Sequence, residues 1–285
     1  MTTPTDDRAD KNAVFQQMRE QMMQPSLDRI QQDLGFDIPV ESIPLPSKGK
    51  IYGTDSVLCN KETVEIRSMV AKDEDILTSR GLIKKGTVIT ELIKSCLMDK
   101  SIMVPEMLAG DRNALMVAIR ITGYGQEYKV GLTCPTCEAE YEHEFDLAAL
   151  PIKFLEIEPA SPNQNAFRFQ LPVSKKNVVF KFINGQDEEE IMLTNERKKK
   201  SGMTSDNLVT ARLGYSVIAV DEVTDKNRIA QYMRNMPARD SLALRSFIDK
   251  HEPGIEMKQV AVCTACGYEA EVNVPLGPTF FWPNA

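Results

Sequence analysis

The chain has 285 residues, of which 42% are hydrophobic and 26% charged, an ordinary globular composition with room for one large or two modest domains. Its net charge of −7 disfavours DNA or RNA as a partner for the protein as a whole. No stretch approaches the roughly 18 consecutive apolar residues of a membrane-spanning helix. Residues 1–17 lack the basic and apolar regions of a secretory signal. We therefore expect folding in the cytoplasm, where cysteines stay reduced.

Residues 1–43 form a segment of their own in the sequence pattern. Residues 1–10 are polar, and residues 12–35 repeat apolar side chains at helical spacing. Pro25 suits the first turn of a second helix, and Gly35 suits a helix end. The pattern predicts two short amphipathic helices that extend from the body of the protein. Their methionine-rich stripes suit either packing on that body or docking on a partner subunit, because methionine adapts to irregular surfaces.

Residues 44–150 predict a module of strand and helices that ends in a Cys-x-x-Cys turn. A proline-punctuated stretch leads to a turn in which Gly49 supplies a positive φ, and the alternation in TVEIRSM then indicates a strand. The segment 111–125 is apolar over much of its surface, so we expect the central core helix there, with Asp111 as its N-cap. Cys96 lies on the apolar face of another helix, which predicts a small buried side chain rather than a reactive thiol.

Residues 151–262 begin with strand patterns and continue as helices. Residues 263–285 add a second Cys-x-x-Cys turn and a final strand. We expect Phe280, Phe281 and Trp282 to pack onto the protein's own fold. The chain is therefore predicted to be α+β, with mixed helices and antiparallel strands and a helical extension at the N-terminus.

Four cysteines form a pattern that indicates a metal-binding site. Cys134 pairs with Cys137 and Cys263 with Cys266, each pair in a turn flanked by strand patterns. Four thiolates in a tetrahedron make a closed zinc site. Between Cys137 and Cys263 lie 125 residues, whereas the two cysteine pairs of a compact zinc ribbon are separated by about 15–20 residues. The longer separation is tolerable, because each doubling of loop length costs only roughly 0.6 kcal/mol. We therefore predict one structural zinc per chain, held in a split, zinc-ribbon-like clasp.

Two other classes of function stay open for these cysteines. A redox pair needs a thiol at a helix N-terminus, and a zinc enzyme needs an open ligand position, whereas strand patterns follow both turns. A nucleic-acid-binding zinc ribbon needs basic and aromatic neighbours. We expect neither an enzyme nor a nucleic-acid-binding module, because the residues around the turns are acidic: Glu138, Glu140, Glu142, Glu144, Glu269 and Glu271.

Several segments, taken in order, resemble a known family. They are LPSKGKIY from residue 45, VEIRSMVAKDEDIL from residue 64, MLAGDRNALMVAIRITGYGQEY from residue 107, the CPTC turn, and the late CTACGYEAEVNV with FFWP. Their order is similar to that in the baseplate hub subunit and hub assembly proteins of T-even-like contractile-tailed bacteriophages. The likeness is close over residues 44–150 and looser in the C-terminal third, and residues 1–43 and 153–200 carry little of it.

The resemblance implies a structural or assembly role in the central hub of the tail baseplate, exerted through protein–protein contacts. It implies other hub and tail proteins as partners, assembly in the host cytoplasm and a final place in the virion tail baseplate. It carries no catalytic residues over to this chain. The zinc prediction stands on the cysteine pattern, not on the resemblance.

Overall fold

The computed structural model describes residues 37–200, 208–276 and 278–281. The chain divides into two compact units, residues 1–39 and residues 40–285, and every helix and strand named below belongs to the second. The two helices expected near the N-terminus lie outside the described residues, and so does Trp282.

Eight α-helices lie in the described part of the second unit. Acidic side chains occupy the first turns of α1 and α5 and complement the positive end of the helix dipole there. None of the described helices has the length and apolar character needed to cross a membrane. The helices are α1 Ala71–Thr78, α2 Arg80–Lys85, α3 Val88–Cys96, α4 Ala109–Tyr124, α5 Gly185–Lys200, α6 Leu208–Ser216, α7 Lys226–Asn235 and α8 Ala238–His251.

Eleven strands form five small sheets in the same part of the chain, and every strand pairing is antiparallel. The sheets are β1–β2, β3–β4, β5–β9, β6–β7–β8 and β10–β11. This arrangement confirms the predicted α+β class. The strands are β1 Val40–Pro44, β2 Thr63–Arg67, β3 Glu127–Thr133, β4 Glu140–Asp146, β5 Ile152–Lys153, β6 Phe167–Gln170, β7 Asn177–Phe180, β8 Val217–Val220, β9 Gly254–Ile255, β10 Lys258–Val262 and β11 Glu269–Asn273.

Helix α4 forms the centre of the hydrophobic core, as the sequence predicted. Ten of its 16 residues are buried, and Leu115 and Ile119 are fully enclosed. Helix α3 packs against it and presents Leu92, Ile93 and Cys96 to the same core. Each large aliphatic side chain buried in this way contributes about 1.5–3 kcal/mol. The apolar face that the sequence predicted around Cys96 therefore lies in the core that α3 shares with α4.

Asp111 is not the N-cap that the sequence suggested. Helix α4 begins two residues earlier, so Asp111 lies inside its first turn and is completely buried. Its carboxylate accepts hydrogen bonds from the Ser47 amide at 2.9 Å, from the Ser47 hydroxyl at 2.6 Å and from the Tyr52 hydroxyl at 2.6 Å. The Tyr52 oxygen accepts a further hydrogen bond from the Leu108 amide at 3.0 Å. The network fastens the loop of residues 45–62 to the start of α4.

The last residues that the structure describes pack on α4. Arg120 is fully buried, and its Nε donates a hydrogen bond to the carbonyl oxygen of Phe280 over 2.7 Å. Its two terminal nitrogens donate to the carbonyl oxygens of Gly125 and Glu127, over 2.6 Å and 3.0 Å. Phe280 and Phe281 are buried. The expectation that these two phenylalanines pack onto the fold is confirmed.

Candidate metal centre

Two β-hairpins carry the four cysteines. Cys134 and Cys137 lie in the turn that joins β3 to β4, and Cys263 and Cys266 lie in the turn that joins β10 to β11. The strands predicted on both sides of each turn are therefore confirmed. In the first hairpin, the register pairs Tyr128 with Phe145, Val130 with His143 and Leu132 with Tyr141 on one face.

The two turns have the same backbone conformation. In each, the amide of the first cysteine donates to the carbonyl oxygen five residues later, and the amide four residues later donates back to the carbonyl oxygen of that cysteine, over 2.9–3.0 Å. The residue four positions after the first cysteine is left-handed in both turns, with φ of 73° at Gly267 and 57° at Glu138. Gly267 adopts this conformation readily, whereas Glu138 adopts it without the conformational freedom of glycine.

Sulfur atoms from the two turns converge at one point. The Sγ atoms of Cys134 and Cys266 are 3.6 Å apart, those of Cys137 and Cys263 are 3.8 Å apart, and all four lie within 4.8 Å of one another. Zinc–sulfur bonds of 2.3 Å in a tetrahedron separate neighbouring sulfurs by about 3.8 Å, whereas a disulfide separates them by about 2.0 Å. The four cysteines are free thiols, and the Cys134–Cys266 and Cys137–Cys263 sulfur separations match those of a tetrahedral metal site.

Each turn contributes one buried and one exposed cysteine. Cys134 and Cys263 are only 1% and 2% exposed, whereas Cys137 and Cys266 face solvent. Tyr141 forms a small apolar cluster with the two buried cysteines, and Leu132 packs against both this cluster and the main core. The candidate site is therefore shielded on its inner side and open to solvent on its outer side.

Hydrogen bonds at the turns affect how readily the thiols lose their protons. The backbone amides of Cys137 and Thr136 lower the pKa of Cys134 to about 6, which favours a thiolate at neutral pH. The amide of Tyr268 also lowers the pKa of Cys266, but hydrogen bonding with Cys137 and the other nearby thiols raises it to about 12. Thiolates so close together repel each other, so full ionisation of the group needs a cation between them.

The outward face of the first hairpin is acidic. Glu140, Glu142, Glu144 and Asp146 alternate along β4 and are exposed, so their carboxylates share one face. Lys129 on β3 forms an ion pair with Glu144 at 3.4 Å and is the basic residue on that face of the hairpin. This charge repels a phosphate backbone.

Neither turn lies at the N-terminus of a helix, where a catalytic thiol would be activated. Of the remaining cysteines, Cys96 is fully buried, as predicted, and Cys59 is half-buried. Burial and then the Asp73 carboxylate raise the pKa of Cys96 to about 12. That thiol therefore stays neutral and behaves as an apolar side chain.

Comparison with known protein families gives a match for this chain. The chain matches the family model described as T4 bacteriophage base plate protein over residues 40–282, a range that includes all four cysteines of the candidate site and every helix and strand named above. No curated protein and no solved structure gives a significant match. Because the model covers far more than half of the sequence, the chain belongs to the T4 bacteriophage base plate protein family.

Proposed function

We propose that this chain is a structural or assembly component of the central hub of a phage tail baseplate. The observation that carries the proposal is the family match over residues 40–282. The resemblance of its ordered segments to hub subunits and hub assembly proteins supports the hub in particular. In this role the protein acts through contacts with other hub and tail proteins rather than by catalysis. It assembles in the host cytoplasm and takes its place in the tail baseplate of the virion.

The four cysteines hold one structural zinc ion in this proposal. The support is geometric, because two turns with the same backbone hydrogen bonds bring four thiols within 4.8 Å of one another. Four protein ligands leave no open position for substrate or water, which favours a structural role over a catalytic one. When bound, zinc supplies a fixed positive charge that reduces the mutual repulsion of the four thiolates.

The residues around the site prepare it for the ion. The amides of Cys137 and Thr136 stabilise the thiolate of Cys134, while Tyr141 and Leu132 keep water from the inner sulfurs. Because the turns are far apart in sequence, a shared ion would join the β3–β4 hairpin to the β10–β11 hairpin. Structural zinc held by thiolates contributes on the order of 10 kcal/mol to folding.

Mass spectrometry of purified virions tests the baseplate role. We expect the protein in intact virions and in isolated baseplates, and we expect a phage that lacks its gene to produce defective tails. Normal tails from the deletion phage would contradict the role. Presence in assembly intermediates but not in virions would identify an assembly factor rather than a permanent hub subunit.

Metal analysis tests the zinc assignment. Protein purified under reducing conditions should contain one zinc ion per chain, with four thiols protected from a thiol-modifying reagent until a chelator is added. Iron in the same four-thiolate site would absorb visible light, whereas zinc would not. A metal-free protein with four reactive thiols at the turns would rule out the clasp.

The nucleic-acid-binding alternative makes a different prediction. A zinc ribbon that binds DNA or RNA should shift the nucleic acid in a gel, and the shift should weaken steeply with salt. We expect no such shift, because carboxylates cover the outward face of the first hairpin.

A further inference from the structure

A second concave site lies on the surface, and none of the metal-centre cysteines lines it. It is a cavity of about 430 Å³ between the loop of residues 51–58 and the segment 101–108. Asn165, Asn184 and Gln186 complete its wall. A cavity of this size lies in the range of about 300–1,000 Å³ typical of ligand sites and can hold one or two side chains.

The charged residues that line the cavity are all acidic. Asp55 and Glu106 are the charged residues among those that line it, and no lysine, arginine or histidine does. Both are exposed to solvent. Within the described part of the chain, neither carboxylate has an ion-pair or hydrogen-bond partner. The cavity is therefore complementary to a cation.

Apolar side chains stand beside these carboxylates. Met103 is 60% exposed and Val57 is 38% exposed, although both are large hydrophobic residues that line the cavity. An alkyl chain that ends in a positive charge matches both surfaces, because its stem covers apolar groups and its head reaches carboxylates. A bound metal ion fits less well, since the described residues bring together three or more acidic or metal-binding side chains only at the four cysteines.

The floor of the cavity is held in place by buried hydrogen bonds. Tyr52 and Leu108 both line it, and the Tyr52 hydroxyl accepts from the Leu108 amide and donates to Asp111. The Tyr52 hydroxyl thereby joins the two chain segments that form the cavity, and the fully buried Asp111 carboxylate holds that hydroxyl in place. A cavity formed in this way exists before its ligand arrives, which reduces the ordering cost of binding.

We propose that this cavity is a docking site for a basic side chain, an arginine or lysine, presented by a peptide segment of a partner protein. The identification of that partner as another baseplate protein rests on the proposed function. The cationic chemistry of the ligand does not, because it follows from the cavity itself.

Methyl NMR of the full chain tests the chemistry. With ¹³C in the methionine methyl groups, the Met103 signal is assigned by its loss in Met103→Leu. It should shift saturably with N-acetyl-arginine amide, with a Kd on the order of 1–10 mM, and not with the uncharged N-acetyl-citrulline amide. The double variant Asp55→Asn/Glu106→Gln should bind about threefold to tenfold more weakly, whereas the control Asp75→Asn/Glu190→Gln should bind like the unaltered protein.

Three outcomes of that titration would overturn the proposal: no movement of the Met103 signal, an equal response to the citrulline compound, or unchanged binding by the double variant. Complementation of the deletion phage then tests the partner. Asp55→Asn/Glu106→Gln should yield fewer complete tails than the control variant, and full complementation would overturn a baseplate partner for this cavity. If the protein proves absent from baseplates, the baseplate role fails, and the titration still decides what the cavity binds.

Discussion

Glu138 and Gly267 occupy equivalent positions in the two cysteine turns, and both have left-handed backbone conformations. Glycine adopts this conformation readily, whereas a residue with a Cβ pays about 1–2 kcal/mol. A Cβ at Gly267 would meet no atom within 4 Å, so a substitution there changes the backbone energy without a steric clash. A substitution at Gly267 therefore adds the strain of a left-handed residue with a Cβ, whereas Glu138→Gly removes that strain.

Gly267→Ala should lower the free energy of unfolding by about 1 kcal/mol, because alanine disfavours a φ of 73°. Glu138→Gly should leave it unchanged or raise it by up to about 1 kcal/mol, since the relief of strain is offset by greater freedom of the unfolded chain. Urea denaturation of the metal-loaded protein measures both. Gly131→Ala is the control, because a Cβ there also meets open space but φ is ordinary. An equal effect of the two alanine substitutions would exclude the left-handed turn as the cause.

Cys134→Ser and Cys263→Ser should have the same effect, although the residues lie in different hairpins. Each removes one ligand of the proposed tetrahedron, so each should abolish tight metal binding and destabilise the protein by several kcal/mol. Metal content and thermal unfolding check this, with Cys59→Ser as a control outside the site. A loss of metal in one variant alone would contradict a shared site.

Asp73 provides a pH-dependent contribution to stability. Burial raises the pKa of this carboxyl group, but hydrogen bonds from Arg67, Ser95 and the Val70 amide outweigh it and hold the pKa below its ordinary value. The stability gained is therefore fully present above the unfolded-state pKa of about 3.9 and is lost as pH falls through the lower folded-state pKa. Acid denaturation should show this loss in the unaltered protein and not in Asp73→Asn.

At neutral pH, Asp73→Asn should cost about 3–5 kcal/mol, because it leaves the buried guanidinium of Arg67 without its counter-charge. Asp99→Asn is the matched control. It breaks an ion pair with Lys61 in which both side chains are 42% exposed, so it should cost less than about 1 kcal/mol. Similar losses for the two variants, measured by urea denaturation, would show that burial does not set the strength of the Arg67 pair.

Arg120→Lys should loosen the C-terminal segment. The guanidinium donates to three carbonyl oxygens, including that of Phe280, and a lysine ammonium cannot reproduce this planar, branched geometry. We expect a loss of about 2–4 kcal/mol and faster hydrogen exchange near Phe280. The exposed Arg168, changed to lysine, is the control. Unchanged exchange at Phe280 would mean that apolar packing alone holds the segment.

The sequence predicted the features that depend on local periodicity. The core stripe of α4 and the strands around both cysteine turns follow from residues close together in the chain. Asp111 was misread because its partner Ser47 is 64 residues away, and an acidic residue near a helix start looks like a cap whether or not it is buried. The left-handed Glu138 was missed for a related reason, since only glycine signals that conformation reliably.

The cavity at Asp55 and Glu106 had no sequence signal. Its walls come from segments that begin near residues 51, 101, 165 and 184, and only the folded chain brings them together. The convergence of four sulfurs, by contrast, could be foreseen, because two Cys-x-x-Cys turns in one chain each supply half of a known tetrahedron.

The position of the cysteine pairs has a topological consequence. An ion bound by Cys137 and Cys263 would close the 125 residues between them into a ring. A protease that cuts once inside that ring would then leave two pieces that the ion joins in addition to the packing of Phe280 on α4. A nicked protein could in this way keep its shape, with the metal acting as a cross-link that is reversible where a disulfide would require oxidation.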